Sequence, residues 1–279
     1  FIDGVGNSAN AAVSLARLGL NSALISYVGD DYLSERILLN LLKNTVSVEF
    51  VNIQEGKKSN LHYVLWYEDD RSLLVNHQVY DYKFPELRAE EVPAWFYLSS
   101  ISASAGVIYK DLIKVLKDNK DVKLCFQPGS FQLELLDNEL KELTSLTNLL
   151  IVNKEELSRI TKRSVDEIKN SILDVFKLGV ENVVITDGPQ GAYLMNSHKQ
   201  RLFFLPAYPD IDKPYERTGA GDAFTSTIVG AIILGCDLKT AAMWGSINSM
   251  NVVRFIGAQE GLLNREKIEH YLSIAPESF

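Results

Sequence analysis

The chain has 279 residues, 46% of them hydrophobic and 23% charged, a balance that supports a large core and argues against disorder. A net charge of −8 argues against an electrostatic nucleic-acid footprint and against an anionic membrane surface as partner. No apolar run has the length of a membrane span, and the opening Phe1-Ile2-Asp3-Gly4 has neither the basic nor the apolar part of a secretory signal. Cys125 and Cys236 are the only cysteines; their apolar contexts suggest two buried thiols in a reducing cytoplasm.

In chain order, small and apolar residues at helical spacing follow a glycine turn at Gly6, from Asn7 to Leu18, and Gly19 stands where a C-cap would. Ser22–Val28 reads as a buried strand, and Gly29-Asp30-Asp31 opens a second helix to about Lys43. Val46–Ile53, Leu61–Tyr67 and Leu73–Val75 are strand-like, with turns at 55–57 and 68–70 and no helix between them. They predict a small antiparallel sheet inserted at about 46–80. Strands at Phe96–Ser99, Val122–Phe126, Asn148–Val152 and Asn182–Thr186 then alternate with helical patterns at Gly106–Leu116, Leu133–Leu143 and Val165–Leu178. That rhythm predicts a mostly parallel sheet with helices on both faces, an α/β fold. Two helices rich in small residues, Gly221–Leu234 and Leu238–Val253, and a short one near Arg265–Leu272 close the chain.

The sharpest chemical signal is Thr218-Gly219-Ala220-Gly221-Asp222-Ala223-Phe224, glycine-rich sequence running directly into an apolar helix. Free backbone N–H groups and the positive end of the dipole make such a helix start an anion site, and Gly219 and Gly221 let the backbone approach closely. Asp222, in the first turn, is suited to accept the proton of an attacking hydroxyl. As plain structure, the same string would be a capped helix with a favourable first-turn acid.

This string resembles the signature of the ribokinase-like carbohydrate kinase family, the phosphofructokinase-B type, which usually reads Asp-Thr-x-Gly-Ala-Gly-Asp-x-Phe. Four further landmarks occur in the family's order: Val5-Gly6-Asn7-Ser8-Ala9-Asn10 with Leu18-Gly19, Asn153-Lys154-Glu155-Glu156, Ile185-Thr186-Asp187-Gly188, and Ile256-Gly257-Ala258. Val28-Gly29-Asp30-Asp31 fits as well, so the likeness covers essentially the whole chain. It implies a three-layer αβα sandwich with a small β lid at 46–80, forming a single kinase domain over 1–279. It also implies ATP-dependent phosphorylation of a sugar or sugar-like acceptor, while Leu61, Tyr63, Leu65 and Tyr67, on one face of a strand by period two, predict a homodimer joined through the lids.

The likeness assigns roles by position. Asp222 is the general base, and the amides of Gly219, Ala220 and Gly221 form the anion hole. Asn153 and Glu156 act near Mg²⁺, Glu156 through water; Thr186 and Gly188 face the ATP phosphates; Asn248 borders the adenine. Gly6 and Asn10 contact the acceptor. Gln127, in the Gln127-Pro128-Gly129 turn after a strand, is read as a substrate contact from its place at a sheet edge, or else as part of a plain turn.

Three departures stand out. Glu216 takes the place of the family's Asp, which helps to hold a monovalent cation, so K⁺ activation is expected to be weak. Val5 replaces the first glycine of a Gly-Gly turn. The family's preceding strand and acceptor-binding Asp would lie in a segment before Phe1, since without them a sheet edge would be exposed. His62 and His77 fall in the presumed lid, while His198 and His270 are expected to face solvent. Asp187 reads as a turn former. Sugar kinase, nucleoside kinase and a binding protein without turnover remain open as alternatives; retention of Asp222, Asn153 and Glu156 favours the two kinases.

Overall fold

The computed structural model describes residues 2–67, 70–129, 132–133 and 138–279. Its first part comprises helix α1 (Asn7–Arg17), strands β1 (Ser22–Ala23) and β2 (Ser26–Gly29), helix α2 (Tyr32–Lys43), and strands β3 (Val46–Ser47), β4 (Val51–Gln54), β5 (Leu61–Tyr67) and β6 (Asp70–Asn76). Then come β7 (Trp95–Leu98), α3 (Val107–Asp118), β8 (Lys123–Phe126), α4 (Asn138–Ser145), β9 (Leu149–Asn153), α5 (Lys154–Thr161), α6 (Ile168–Lys177) and β10 (Asn182–Thr186). The hairpin of β11 (Gly191–Asn196) and β12 (Phe203–Pro206) precedes α7 (Ala220–Ile233), α8 (Leu238–Val252) and α9 (Arg265–Ser273).

The six strands β7 to β12 form one sheet in chain order. The first four are parallel, and β11 and β12 are added antiparallel. Burial on both faces of β8, β9 and β10 explains the continuous apolar runs of those three strands. Within β9, Leu150 and Val152 face one core with Leu112 of α3, Leu143 of α4 and Ile172 of α6. Leu149 and Ile151 point the other way, toward Ile228 of α7 and Ile247 of α8. This period of two produces the αβα sandwich. α7 and α8 pack closely because a Cβ at Gly245 would stand 2.7 Å from the Phe224 carbonyl. Among the described residues, no helix is long and apolar enough to cross a membrane.

Several sequence expectations change. The 22–28 strand divides around Leu24 and Ile25 into β1 and β2, which pair in parallel with β3 and β4. Residues 46–54 therefore join the strands before α2, because the intervening helix allows a parallel connection. Only β5 and β6 form the antiparallel element expected for 46–80, with Tyr63 opposite Leu74. Residues 68 and 69 of its expected turn lie outside the described residues. Helix α4 starts at Asn138; 134–137, part of the expected Leu133–Leu143 helix, also lie outside them. The β11–β12 hairpin and α5 are additions to the sequence reading. Cys125 is buried, but Cys236 is half-buried, near the end of α7. His198 and His270 are exposed, as expected.

Candidate active site

The parallel strands bring their C-terminal ends to one edge of the sheet, where the chain can present loops and helix starts to a ligand. Asn153 at the end of β9 and Thr186 at the end of β10 are direct cross-strand partners. Gln127 follows β8. The signature helix α7 begins over the same edge.

Gly219 caps α7 in the left-handed region, φ +80°. A Cβ there would lie 2.4 Å from Ala258 Cβ and 2.7 Å from Ala258 Cα. The Ile256-Gly257-Ala258 turn thus presses on the signature turn, and glycine is required for both conformation and contact. The amides of Ala220 and Gly221 follow in the first turn, that of Ala220 reaching the Arg217 carbonyl at 3.4 Å; amides at a helix start are suited to receive an anion.

Asp222 is partly buried in that first turn. Asn10, 4% exposed on α1, donates from Nδ2 to Asp222 Oδ2 at 2.8 Å. The Gly6 amide donates to Asn10 Oδ1 at 3.4 Å, so the two residues assigned to the acceptor meet beside the assigned base. Burial pushes the Asp222 carboxyl up to about 6, against the opposing pull of the Asn10 hydrogen bond. A carboxylate poised there can take and return a proton near neutrality. Tyr97 of β7 donates its hydroxyl to Gln127 Oε1, which places the Gln127 amide beside Gly221. Ser8 and Ser99 share a hydrogen bond of 2.7 Å, joining the start of α1 to the end of β7.

Asn153 and Glu156 form a reciprocal capping box. Asn153 Oδ1 accepts from the Glu156 amide at 2.8 Å, and Glu156 Oε2 accepts from the Asn153 amide at 2.9 Å. Burial raises the Glu156 carboxyl despite that hydrogen bond. Next to the box, Lys154 pairs with Asp187 and lies 5.4 Å from the Tyr193 ring centroid. The sequence reading took Asp187 as a turn former only; the β9–β10 register is the signal that places it beside Lys154.

A cleft of about 450 Å³ runs from Thr186 and Gly188 past Ala220 and Gly221 to Ser249 and Met250 of α8 and to Val253 just after it. Arg217 and Asp210 line it, over an apolar floor that includes Leu205 and Phe224. Its apolar floor suits a flat heteroaromatic ring, and its Ala220–Gly221 side suits phosphate.

Two further assigned residues are engaged in hydrogen bonds within the protein. Asn248 does not line this cleft. It is fully buried, donating to Thr227 Oγ1 at 2.7 Å and accepting from the Leu263 amide at 2.8 Å, so both ends of its amide are committed inside the protein. Ser246 and Ser249, on neighbouring turns of α8, face the cleft instead. Glu216 accepts from the Gly257 amide and, at 3.4 Å, from the Thr218 hydroxyl. It ties together the two turns that meet at Gly219. Sequence reasoning missed Gln259, Asn40 and Tyr97, whose partners are distant in the chain.

The pfkB carbohydrate kinase family pattern matches residues 5–265, and the chain belongs to this family. Ribokinase of Bacillus subtilis (strain 168) is 25% identical over 96% of this chain and 87% of its own length. Nucleoside kinase of Methanocaldococcus jannaschii is 26% identical over 94% of this chain and 83% of its own. Among solved structures, a putative ribokinase II from E. coli in complex with ATP and Mg²⁺ superposes with a TM-score of 0.81 at 20% identity, covering 96% of this chain and 88% of that one.

Proposed function

We propose that the chain moves the γ-phosphoryl group of ATP to a hydroxyl of a sugar or sugar-like acceptor, with Asp222 as general base. The observation that carries this reading is the partly buried Asp222, hydrogen-bonded by Asn10, in the first turn after the Gly219-Ala220-Gly221 amides. The acceptor O–H gives its proton to an Asp222 carboxylate oxygen as the acceptor oxygen bonds to the γ-phosphorus. The bond from that phosphorus to the bridging oxygen breaks, ADP leaves, and the amides of Gly219, Ala220 and Gly221 bear the charge on the equatorial oxygens. The carboxamides of Asn10, bonded to Asp222, and of Gln127, beside Gly221, favour an acceptor with several hydroxyls.

Thr186 and Gly188 would meet the ATP phosphates, with the base between the apolar floor and α8. Glu156 fits a divalent ion: burial raises its carboxyl, the state of an acid short of counter-charge. Among the described residues no cluster of three His, Cys, Asp or Glu side chains could hold a metal, so Mg²⁺ at Asn153 and Glu156 would lean on water and phosphate oxygens. Bound there, Mg²⁺ would supply charge neutralisation on the phosphates. A monovalent cation fits less well, since the Glu216 carboxylate is already engaged by the Gly257 amide and Thr218.

The same reading treats 1–279 as a single kinase domain, with the insertion at about 46–80 as a lid that excludes water. Tyr63 and Leu65, alternate residues of β5, are both more than half exposed, an apolar face that supports pairing of two lids in a homodimer. ATP as donor and the free thiols at Cys125 and Cys236 favour the cytoplasm. A nucleoside acceptor is the second reading, supported by the M. jannaschii relative. An ATP-consumption assay across ribose, fructose, inosine and adenosine separates the two. Lack of turnover with every sugar and nucleoside would favour a binding protein.

A further inference from the structure

Behind Asn10 lies a chain of amides whose orientation is fixed by atoms that can only accept. At its far end, Asn40 Nδ2 donates to the backbone carbonyl of Asp3 at 3.0 Å and to Gln259 Oε1 at 3.0 Å. Gln259 Nε2 then donates to the backbone carbonyl of Gly4 at 2.9 Å and to Asn10 Oδ1 at 3.1 Å. A carbonyl has no proton to give, so both amides have one permitted orientation. Asn10 must therefore present its oxygen to Gln259 and its NH₂ to Asp222. Gln259 is 6% exposed, and Arg17 of α1 anchors its backbone by donating to its carbonyl at 2.7 Å.

We propose that Gln259 is a positioning residue: it holds the Asn10 carboxamide with its donor face toward Asp222, so that the site favours an ionised base over a protonated one. Its catalytic consequence rests on the reading of Asp222 as base; the positioning itself does not. Without Gln259, only the longer 3.4 Å contact from the Gly6 amide would hold Asn10 Oδ1; a carboxamide that turned over would offer Oδ1 to Asp222, and a carboxyl facing an acceptor must keep its proton. The relay thus joins the turn at 256–259 to the protonation of a side chain on α7.

The other groups around this line are accounted for. Tyr97, on β7, is held well above the usual phenol range by burial and by the nearby Asp222 charge, so it stays neutral. Asp3 is paired with Arg36 of α2 at 2.7 Å. Burial lowers Arg17 while Glu260 raises it, and its guanidinium faces the carbonyls of Gln259 and Leu262.

The test is a carboxyl ¹³C NMR titration of the ligand-free full chain, with Asp222→Asn identifying the Asp222 resonance. Gln259→Met removes the relay with little change of volume. The expected result is an upward shift of the Asp222 midpoint by about one pH unit, with ATP KM unchanged because Gln259 does not line the cleft. With an active acceptor, turnover would fall about tenfold at pH 5 and approach wild type at pH 9, a pH-dependent loss that a folding defect does not produce. An unmoved midpoint overturns the proposal whatever happens to turnover. A moved midpoint with an unaltered kcat profile supports the relay and counts against Asp222 as the base. Should Gln259→Met fail to fold, Asn40→Leu breaks the relay from its half-buried end. The same upward direction is expected there, and an unmoved midpoint rejects the proposal.

Discussion

Gly219→Ala tests the claim that the anion hole is shaped by contact between two turns. Gly219 has φ +80°, a conformation that costs an ordinary L-residue about 1–2 kcal/mol. The added Cβ would meet Ala258 Cβ at 2.4 Å, so one turn must retreat by about 1 Å to reach ordinary contact at 3.4 Å. Together these terms predict a stability loss of about 1–3 kcal/mol. A displacement of about 1 Å at the amides of Ala220 and Gly221 can cost about 10²-fold in turnover, because their donors must meet the transferring phosphoryl in line. The assay is kcat and ATP KM beside the thermal midpoint. Adding Ala258→Gly removes the nearest Cβ but leaves Ala258 Cα 2.7 Å away, so rescue should be partial. Turnover within twofold of wild type in Gly219→Ala would refute the reasoning.

Other outcomes follow from the same geometry. Asp222 holds its proton to about pH 6 in the fold against 3.8 in the unfolded chain, so kcat should fall below about pH 6; a profile flat to pH 5 would contradict this. By linkage, its contribution to stability is full below pH 3.8 and is lost as pH rises through about 6; Asp222→Asn should therefore raise stability at pH 8 by up to about 1–2 kcal/mol after allowing for partial exposure, read as a higher thermal midpoint. Because Glu216 is engaged by its own loops, exchanging Na⁺ for K⁺ should change turnover less than about twofold, and a many-fold rise would show an open cation site. Sedimentation should give a dimer that Tyr63→Arg and Leu65→Glu convert to monomer; a wild-type monomer at micromolar concentration would rule out the lid interface.

What the sequence made legible was local. The signature helix and the alternation of strands with helices are written in neighbouring residues, and the structure retains both. Asn10 beside Asp222 was legible only through the family likeness, since 212 residues separate them. The Asn40–Gln259–Asn10 line joins α2, a late turn and α1, and no periodicity or spacing announces it. Asn248 shows the converse: its place on α8 was right, but 3.6 residues per turn put Ser246 and Ser249, rather than Asn248, on the cleft. The β3 and β4 segments look like lid strands by composition, and only pairing with β1 and β2 decides otherwise.

The central claim is that Asp222 takes the acceptor proton, and kcat of Asp222→Asn with an acceptor found by the sugar and nucleoside panel tests it most directly. Asparagine keeps the shape of the side chain and leaves the backbone amides of Gly219, Ala220 and Gly221 in place. The account predicts a fall of roughly 10²–10⁴-fold in kcat, with ATP affinity nearly unchanged and a thermal midpoint no lower than wild type. Turnover within a few-fold of wild type would contradict it, leaving Asp222 as a first-turn residue of α7 and no more.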